Sequence, residues 1–302
     1  MNIVFMGTPD FAVASLSALQ QAGLNIVGVV TAADKPAGRG QKLNESAVKK
    51  YAVANGLKVL QPVKLKDPAF IEELKALEAD LFAVVAFRML PEIVWQMPKK
   101  GTINLHGSLL PQYRGAAPIN HVIINGEKET GVTTFFLKQE IDTGDVIFSD
   151  TIAIEDEETA GSLHDKLMIV GANLLVKTIQ AIAANEYHEV PQPQSDDLKA
   201  APKIFKEFTK IDWNQTNQTV YNHIRGLSPY PTAFTTLNDK TLKIFAAEMD
   251  HQEPAISTGA FLTDGKTYLK FATKDGFIKV TDVQFEGKKR MVIAEFLRGM
   301  RL

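Results

Sequence analysis

Residues 1–31 read MNIVFMGTPDFAVASLSALQQAGLNIVGVVT. Two short apolar runs, at 3–6 and 26–31, stand on either side of residues 11–21, where apolar side chains recur with the period of a helix. Apolar runs of this length are typical of buried strands, and the strand–helix–strand order is the building unit of a parallel sheet. The opening stretch therefore predicts an α/β fold.

The alternation of apolar runs and helical patterns continues to about residue 190. The further predicted elements are, in chain order, a helix at 70–77, strands at 80–87 and 102–105, a helix at 118–125, strands at 130–137 and 146–154, and a helix at Ala160–Ala184. In such folds the connecting helices cover both faces of the sheet. We therefore predict a Rossmann-like, mostly parallel sheet flanked by helices.

The composition of the sequence changes near residue 190. Residues 190–197 read VPQPQSDD, which offers turn formers and almost nothing to bury, and this predicts a linker. Beyond it, a helical stretch at 218–225 is followed by short β-like runs, at 233–237, 242–247, 267–271 and 278–283. Short strands at this spacing predict a small, OB-like β-barrel. We expect a catalytic domain at 1–188, a linker at 189–205 and a barrel domain at 206–302.

Composition excludes several classes of protein. The 302 residues carry a net charge of −2 and include no cysteine, so a disulfide framework, a thiolate zinc site and a cysteine nucleophile are excluded. No uninterrupted apolar run approaches the roughly 20 residues of a membrane span, and the start MNIVFMG does not have the pattern of a secretory signal. We therefore expect a cytoplasmic protein with no membrane partner.

Familiar catalytic motifs are absent from the sequence. Gly7 follows the first strand, but no G-x-G-x-x-G is present, so a dinucleotide-dependent oxidoreductase is disfavoured. The motifs G-x-x-x-x-G-K-[ST], H-E-x-x-H and G-x-S-x-G do not occur either. The commonest nucleotidase, metalloprotease and serine hydrolase classes therefore have no support.

The remaining candidates for catalytic residues are polar and lie between residues 101 and 145. Asn104 and His106 end a predicted strand and point to the same side of it, because successive side chains alternate. The carboxyl ends of strands are where open α/β sheets bind ligands. Asp142 stands in a polar turn between two β-rich runs. By themselves, a single histidine is more often structural than catalytic, and such a turn is usually only a turn.

Residues 104–115 read NLHGSLLPQYRG and residues 142–145 read DTGD. Together these strings resemble the signature of the folate-dependent formyltransferases. Within that superfamily the chain is similar to the methionyl-tRNA formyltransferase family over almost its whole length. The supporting strings are GTPDFA at 7–12, KPAGRG at 35–40, IDW at 211–213 and IRGLSPYP at 224–231.

The resemblance implies transfer of a formyl group from 10-formyltetrahydrofolate to the α-amine of methionyl-initiator-tRNA, in translation initiation. Attack of an amine on a formyl group creates an oxyanion, which Asn104 and His106 are expected to stabilise as hydrogen-bond donors. Asp142 is expected to orient His106 and to relay the proton that the amine loses. Neither a covalent intermediate nor a metal is expected.

The resemblance also assigns binding segments. The loop that lines the folate pocket consists of four residues, Ser108, Leu109, Leu110 and Pro111. The glycine-containing loop with the cations Lys35, Arg39 and Lys42 is expected to contact the acceptor end of the tRNA, since cations suit phosphates. We expect the enzyme to be a monomer.

Residues 206–302 contain 14 Lys and Arg against 11 Asp and Glu, so this part of the chain is positively charged. Cations that are candidates for phosphate contacts are Lys206, Lys210, Arg225, Lys243, Lys288, Lys289 and Arg290. One stretch departs from the family pattern: residues 84–91 read VVAFRMLP, where the family more often has Tyr-Gly before Leu-Pro. Arg88 either folds outward or meets the glutamate tail of the folate.

Four alternatives remain open. Three share the catalytic residues: a formyltransferase acting on glycinamide ribonucleotide, one acting on an amino sugar attached to a nucleotide, and a hydrolase that releases formate. The amino-sugar enzyme is the best of these, because it shares much of the two-domain architecture. The fourth is a non-catalytic RNA-binding protein, against which the intact Asn104, His106 and Asp142 argue.

Overall fold

The computed structural model describes residues 1–37 and 42–299. Its elements up to residue 201 are, in chain order, β1 (Asn2–Gly7), α1 (Asp10–Gln21), β2 (Asn25–Val30), β3 (Lys35–Ala37), β4 (Lys42–Asn44), α2 (Ala47–Ala54), β5 (Val59–Leu60), α3 (Pro68–Lys75), β6 (Leu81–Val85), α4 (Glu92–Trp95), β7 (Thr102–His106), β8 (Arg114–Gly115), α5 (Pro118–Ile124), β9 (Glu129–Phe136), β10 (Val146–Ala153), α6 (Ala160–Ala184) and β11 (Ala200–Ala201).

A seven-stranded sheet in the order β10-β9-β7-β6-β1-β2-β5 forms the first part of the fold. Strands β1, β2, β5, β6 and β7 are paired in parallel, whereas β9 runs antiparallel to β7. Every residue of β6, and all but the first of β1, are buried, as expected for parallel strands covered on both faces. The predicted Rossmann-like, mostly parallel sheet is therefore confirmed.

Helix α6 covers one face of this sheet. Its Gly171 packs on the side chains of Leu105 in β7 and Val132 in β9, where a larger residue would overlap Leu105. Helix α6 has the length and mean hydropathy of a membrane span, although Lys166 and Lys177 interrupt its apolar run. The burial of Leu167 and Leu175 accounts for this composition, because a core helix buries apolar side chains just as a membrane helix does.

The C-terminal part begins with a 3-10 turn at Lys206–Thr209. Its further elements are α7 (Asn217–Gly226), β12 (Ala233–Leu237), β13 (Lys240–Asp250), β14 (Phe261–Thr263), β15 (Leu269–Ala272), β16 (Phe277–Phe285), β17 (Met291–Val292) and α8 (Ile293–Arg298). The strands form an antiparallel sheet in the order β12-β13-β16-β15-β14, with β17 beside β16. The sheet curls into a half barrel, which confirms the predicted small β domain.

Packing divides the described chain into two compact units. The first contains Met1–Arg114, Gly131–Ile152 and His164–Ala200, and the second contains Gly115–Thr130, Ala153–Leu163 and Ala201–Leu302. Part of the segment that we predict to be a linker is tied to the first unit, since Val190 forms a β-bridge with Val146. The core of the second unit is built around Trp213, which stacks on Phe271 at 4.7 Å.

Candidate active site

Asn104 and His106 lie at the carboxyl end of β7, between β6 and β9. Leu105 packs against α6, so Asn104 and His106 project from the opposite face of the strand, as alternation predicts. His106 is buried, with only 6% of its surface exposed, and Asn104 is half-buried. Within the described residues, no protein group forms a hydrogen bond with the side-chain amide of Asn104.

The imidazole of His106 is held by a backbone carbonyl. Its Nε2 lies 2.9 Å from the carbonyl oxygen of Tyr113. A carbonyl only accepts, so Nε2 carries the hydrogen and donates it. The ring therefore directs Nδ1 towards Asp142, whose Oδ2 is 3.8 Å away. This separation exceeds a direct hydrogen bond, so the hydrogen bond that holds the ring is the one to Tyr113, and Asp142 faces the ring at ion-pair distance.

Asp142 lies in the turn between β9 and β10. Its φ of +55° lies in the left-handed region, which aspartate tolerates better than most residues. Gly144 is required in the same turn, because a Cβ there would overlap the carbonyl group of Phe136. The turn thus holds Asp142 close to the end of β7, and only 13% of the Asp142 side chain is exposed.

Gln192 contacts this turn from the segment after α6. Its Nε2 donates to the carbonyl oxygens of Asp142, at 2.9 Å, and Gly144, at 2.7 Å. Its Oε1 accepts from the Nε of Arg114, at 3.0 Å, and from Nη2, at 2.6 Å. Sequence analysis did not select Gln192, because its stretch of proline and polar residues predicts only a linker.

Hydrogen bonds hold the predicted folate loop in place at Ser108 and at Leu110. Ser108 is fully buried and donates from Oγ to the carbonyl oxygen of Gln112 at 2.6 Å. The hydroxyl of Thr133 on β9 donates to the carbonyl oxygen of Ser108 at 2.7 Å and accepts from the backbone N–H of Leu110 at 3.1 Å. Leu109, Leu110 and Pro111 remain half-exposed, so apolar groups are available beside the end of β7.

The predicted tRNA loop is only partly described. Lys35 is exposed at the start of β3, which pairs with β4, whereas Arg39 and the side chain of Lys42 lie outside the described residues. At the base of this hairpin Asp34 accepts hydrogen bonds from Lys49 and Gln61. These bonds lower the pKa of the Asp34 carboxyl below its usual range.

Arg88 folds against the preceding loop. Its guanidinium donates to the carbonyl oxygen of Val63 at 2.9 Å and also to that of Pro62. Burial of part of this group lowers the pKa of Arg88. Two N–H groups of the Arg88 guanidinium are therefore already bonded to carbonyl oxygens of the first unit.

The candidate cations of the C-terminal part differ in their surroundings. Arg225 is buried, and it donates from Nη1 to the carbonyl oxygen of Glu158 at 2.9 Å and from Nε to Asn222. Arg225 therefore has a structural role, and the hypothesis that it contacts phosphates was wrong. Arg290 forms a bidentate ion pair with Asp282. The exposed candidates are Arg290 itself, Lys206, Lys210, Lys243, Lys288 and Lys289.

Comparison with known proteins agrees with this architecture. The formyl transferase family model matches residues 1–179, and the model of the formyl transferase C-terminal domain matches residues 203–301. The solved N-formyltransferase from Helicobacter canadensis, in complex with folinic acid and dTDP-3-aminofucose, superposes with a TM-score of 0.70 at 23% identity. The superposition covers 96% of this chain and 99% of that one, which supports the fold.

The two family matches and the site at the end of β7 define the chain as a formyl transferase. The methionyl-tRNA formyltransferase of Parabacteroides distasonis is 53% identical over 100% of this chain and 96% of the relative. That of Phocaeicola vulgatus is 55% identical over the same shares. The chain belongs to the methionyl-tRNA formyltransferase family of enzymes.

Proposed function

We propose that this enzyme transfers the formyl group of 10-formyltetrahydrofolate to the α-amine of methionyl-initiator-tRNA, for translation initiation. The observation that carries the proposal is the arrangement at the end of β7. There the Nδ1 of His106 faces Asp142 at 3.8 Å, and the amide of Asn104 projects from the same face of the strand. The full-length similarity to methionyl-tRNA formyltransferases supports the choice of substrates.

The reaction forms a bond between the amine nitrogen and the formyl carbon and breaks the bond from that carbon to the folate nitrogen. We assign stabilisation of the oxyanion to the Asn104 amide and to the Nδ1–H of protonated His106. Nε2 already donates to Tyr113, so Nδ1 is the nitrogen that faces the reaction. In comparable sites each such donor contributes about 2.7–4 kcal/mol to the transition state.

The amine must lose one proton, and the folate nitrogen must gain one. We assign the relay of this proton to Asp142, directly or through water, because its carboxylate lies on the Nδ1 side of His106: it accepts the proton from the amine and returns it to the departing folate nitrogen. We also assign to Asp142 the orientation of His106, whose Nδ1 its carboxylate faces at 3.8 Å.

The folate cosubstrate has a fused ring whose edges carry hydrogen-bonding groups. The loop of Ser108, Leu109, Leu110 and Pro111 fits such a ring, because it combines half-exposed apolar side chains with backbone groups that Thr133 holds in place. We therefore assign folate binding to this loop. No metal has a role in this mechanism.

We assign contacts with the tRNA to Lys35, Arg39 and Lys42 and to exposed lysines of the C-terminal part. Phosphate contacts of this kind fix the position of a nucleic acid without reading its bases. In this scheme residues 1–188 are the catalytic domain, 189–205 the linker and 206–302 the tRNA-binding domain. We further propose that the enzyme acts as a monomer in the cytoplasm.

A substrate comparison tests the proposal. Purified protein is incubated with 10-formyltetrahydrofolate and, in separate reactions, with methionyl-initiator-tRNA, free methionine, glycinamide ribonucleotide or a nucleotide-linked amino sugar. We expect formylation of the methionyl-tRNA alone. Formylation of the sugar without the tRNA, or release of formate without transfer, would contradict the proposal and favour one of the alternative activities.

A further inference from the structure

The side chain of Gln192 joins Arg114 to the turn that carries Asp142. A primary amide offers two N–H donors and one oxygen with two lone pairs. Nε2 donates to Asp142 and Gly144, while Oε1 accepts twice from Arg114. The amide therefore uses its full hydrogen-bonding capacity, and each bond ends on a group within the first unit.

These bonds restrain the carboxylate that faces His106. Asp142 has a left-handed backbone conformation that L residues seldom adopt. The NH2 of Gln192 holds the carbonyl of Asp142 and that of Gly144 at the same time, so the turn cannot rotate without breaking one of the two bonds. Rotation of the turn would also change the separation of 3.8 Å between Asp142 and the His106 ring.

Arg114 completes the arrangement. Its guanidinium is a rigid planar fork, and two of its N–H groups converge on Oε1. This contact selects the orientation in which the amide oxygen faces Arg114 and the NH2 faces the turn, since the reversed amide would point donors at donors. Arg114 thus determines which end of Gln192 meets the backbone of Asp142.

We propose that Gln192 is a positioning residue for formyl transfer: its amide, oriented by Arg114, locks the turn that carries Asp142. The inference rests on the proposed function, because it requires Asp142 to act in the reaction. Gln194 provides a matched control. It is the same residue type two positions further on, it is exposed, and no hydrogen bond of its side chain is present within the described chain.

The test compares the full-length enzyme with three variants, Gln192→Met, Gln192→Glu and the control Gln194→Met. Initial rates of methionyl-tRNA formylation give kcat and both KM values, and thermal unfolding gives Tm. Methionine has nearly the length of glutamine without its hydrogen bonds. We expect Gln192→Met to lower kcat about 10-fold or more, as loss of several hydrogen bonds implies, with both KM values within about twofold. The control should match the wild type.

Gln192→Glu adds a readout that a merely structural residue would not change. Glutamate still accepts from Arg114 and keeps that contact, but neither of its carboxylate oxygens can donate to the carbonyls of Asp142 and Gly144. We therefore expect this variant to keep both KM values and a Tm close to wild type, while its kcat falls at least as far as that of Gln192→Met.

The outcomes separate the two proposals. An inactive wild-type enzyme would overturn the proposed function and this inference with it. An active wild type, an inactive Asp142→Asn variant and a normal kcat for Gln192→Met would overturn the inference alone. If Gln192→Met loses many degrees of Tm, Gln192→Glu decides: a lowered kcat with both KM values within about twofold of wild type supports positioning, and a wild-type kcat refutes it.

Discussion

His223 is a buried histidine on α7 whose environment opposes protonation. Its ring lies against Phe208, with 5.4 Å between ring centroids, and it forms a hydrogen bond with the backbone of Thr209. Its Nε2 is buried and has no hydrogen-bond partner among the described residues. Burial lowers the pKa of His223 from 6.5 to about 4. The ring is therefore neutral in the folded enzyme at neutral pH.

This shift makes the stability of the second unit depend on pH. Between pH 6.5 and about 4 the unfolded state binds a proton that the folded state excludes, so the free energy of unfolding decreases as the pH falls. Titration of one group changes the free energy of unfolding by at most about 1.4 kcal/mol per pH unit. With these two pKa values, lowering the pH from about 7 to about 5 removes about 2 kcal/mol, and the loss levels off near pH 4.

Carboxylates of the same unit contribute at lower pH. The pKa of Asp212 is lowered by a hydrogen bond from Gln215, and that of Asp250 by one from Lys270. Both groups take up their protons in the unfolded chain near 3.8, so the stability that they contribute is lost only below the range in which His223 acts.

The assay uses the fluorescence of Trp213, which is buried in the second unit. A Trp95→Phe background removes the other tryptophan, so urea unfolding then reports this unit alone. In that background His223 is compared with His223→Asn, which keeps a donor for the carbonyl of Thr209 but does not titrate. We expect the His223 protein to lose about 2 kcal/mol more than His223→Asn between about pH 7 and about pH 5. The same pH dependence in both proteins would refute the reasoning.

Three further predictions concern the first unit. Asp142→Asn should lower kcat by about 10²–10⁴-fold with Tm nearly unchanged, and near-normal turnover in the formylation assay would contradict its role. Gly144→Ala should destabilise the protein by about 1–3 kcal/mol in urea unfolding and lower kcat, because the new Cβ overlaps the carbonyl of Phe136; unchanged values would show that the turn adjusts freely. Ser108→Ala removes the donor to the carbonyl of Gln112, a loss of about 1–3 kcal/mol, and should raise the KM for the folate; an unchanged KM and stability would contradict the anchoring role.

Long, periodic segments of this chain were predictable from sequence. The helix at Ala160–Ala184 has the predicted bounds, because its apolar spacing repeats over 25 residues and so defines its type and its buried face. The strand at Ala233–Leu237 is too short for such a repeat, and its predicted bounds are correct because the turn formers Asn238 and Asp239 mark its end. Other short elements, such as α8 and β14, were not predicted, because three to six residues do not establish a period.

The site was predictable only in part. Alternation along β7 places Asn104 and His106 on one face without any tertiary information. Asp142 approaches them because β9 pairs with β7, with His106 opposite Thr133, and this register depends on the folded sheet. From sequence, Asp142 was assigned to the same site as Asn104 and His106 only because residues 142–145 resemble a family signature. Gln192 offered no such signal, since a glutamine between prolines is typical of an exposed linker.

The backbone contact of His106 bears on the chemistry of the site. Because Nε2 donates to Tyr113, Nδ1 is the ring nitrogen that faces the carboxylate of Asp142, at 3.8 Å. A nucleophile that must lose a proton as it attacks, whether an amine or water, fits beside this pair. The pair therefore selects a nucleophile that carries hydrogens, and the full-length similarity to methionyl-tRNA formyltransferases, rather than the pair, favours the amine over water.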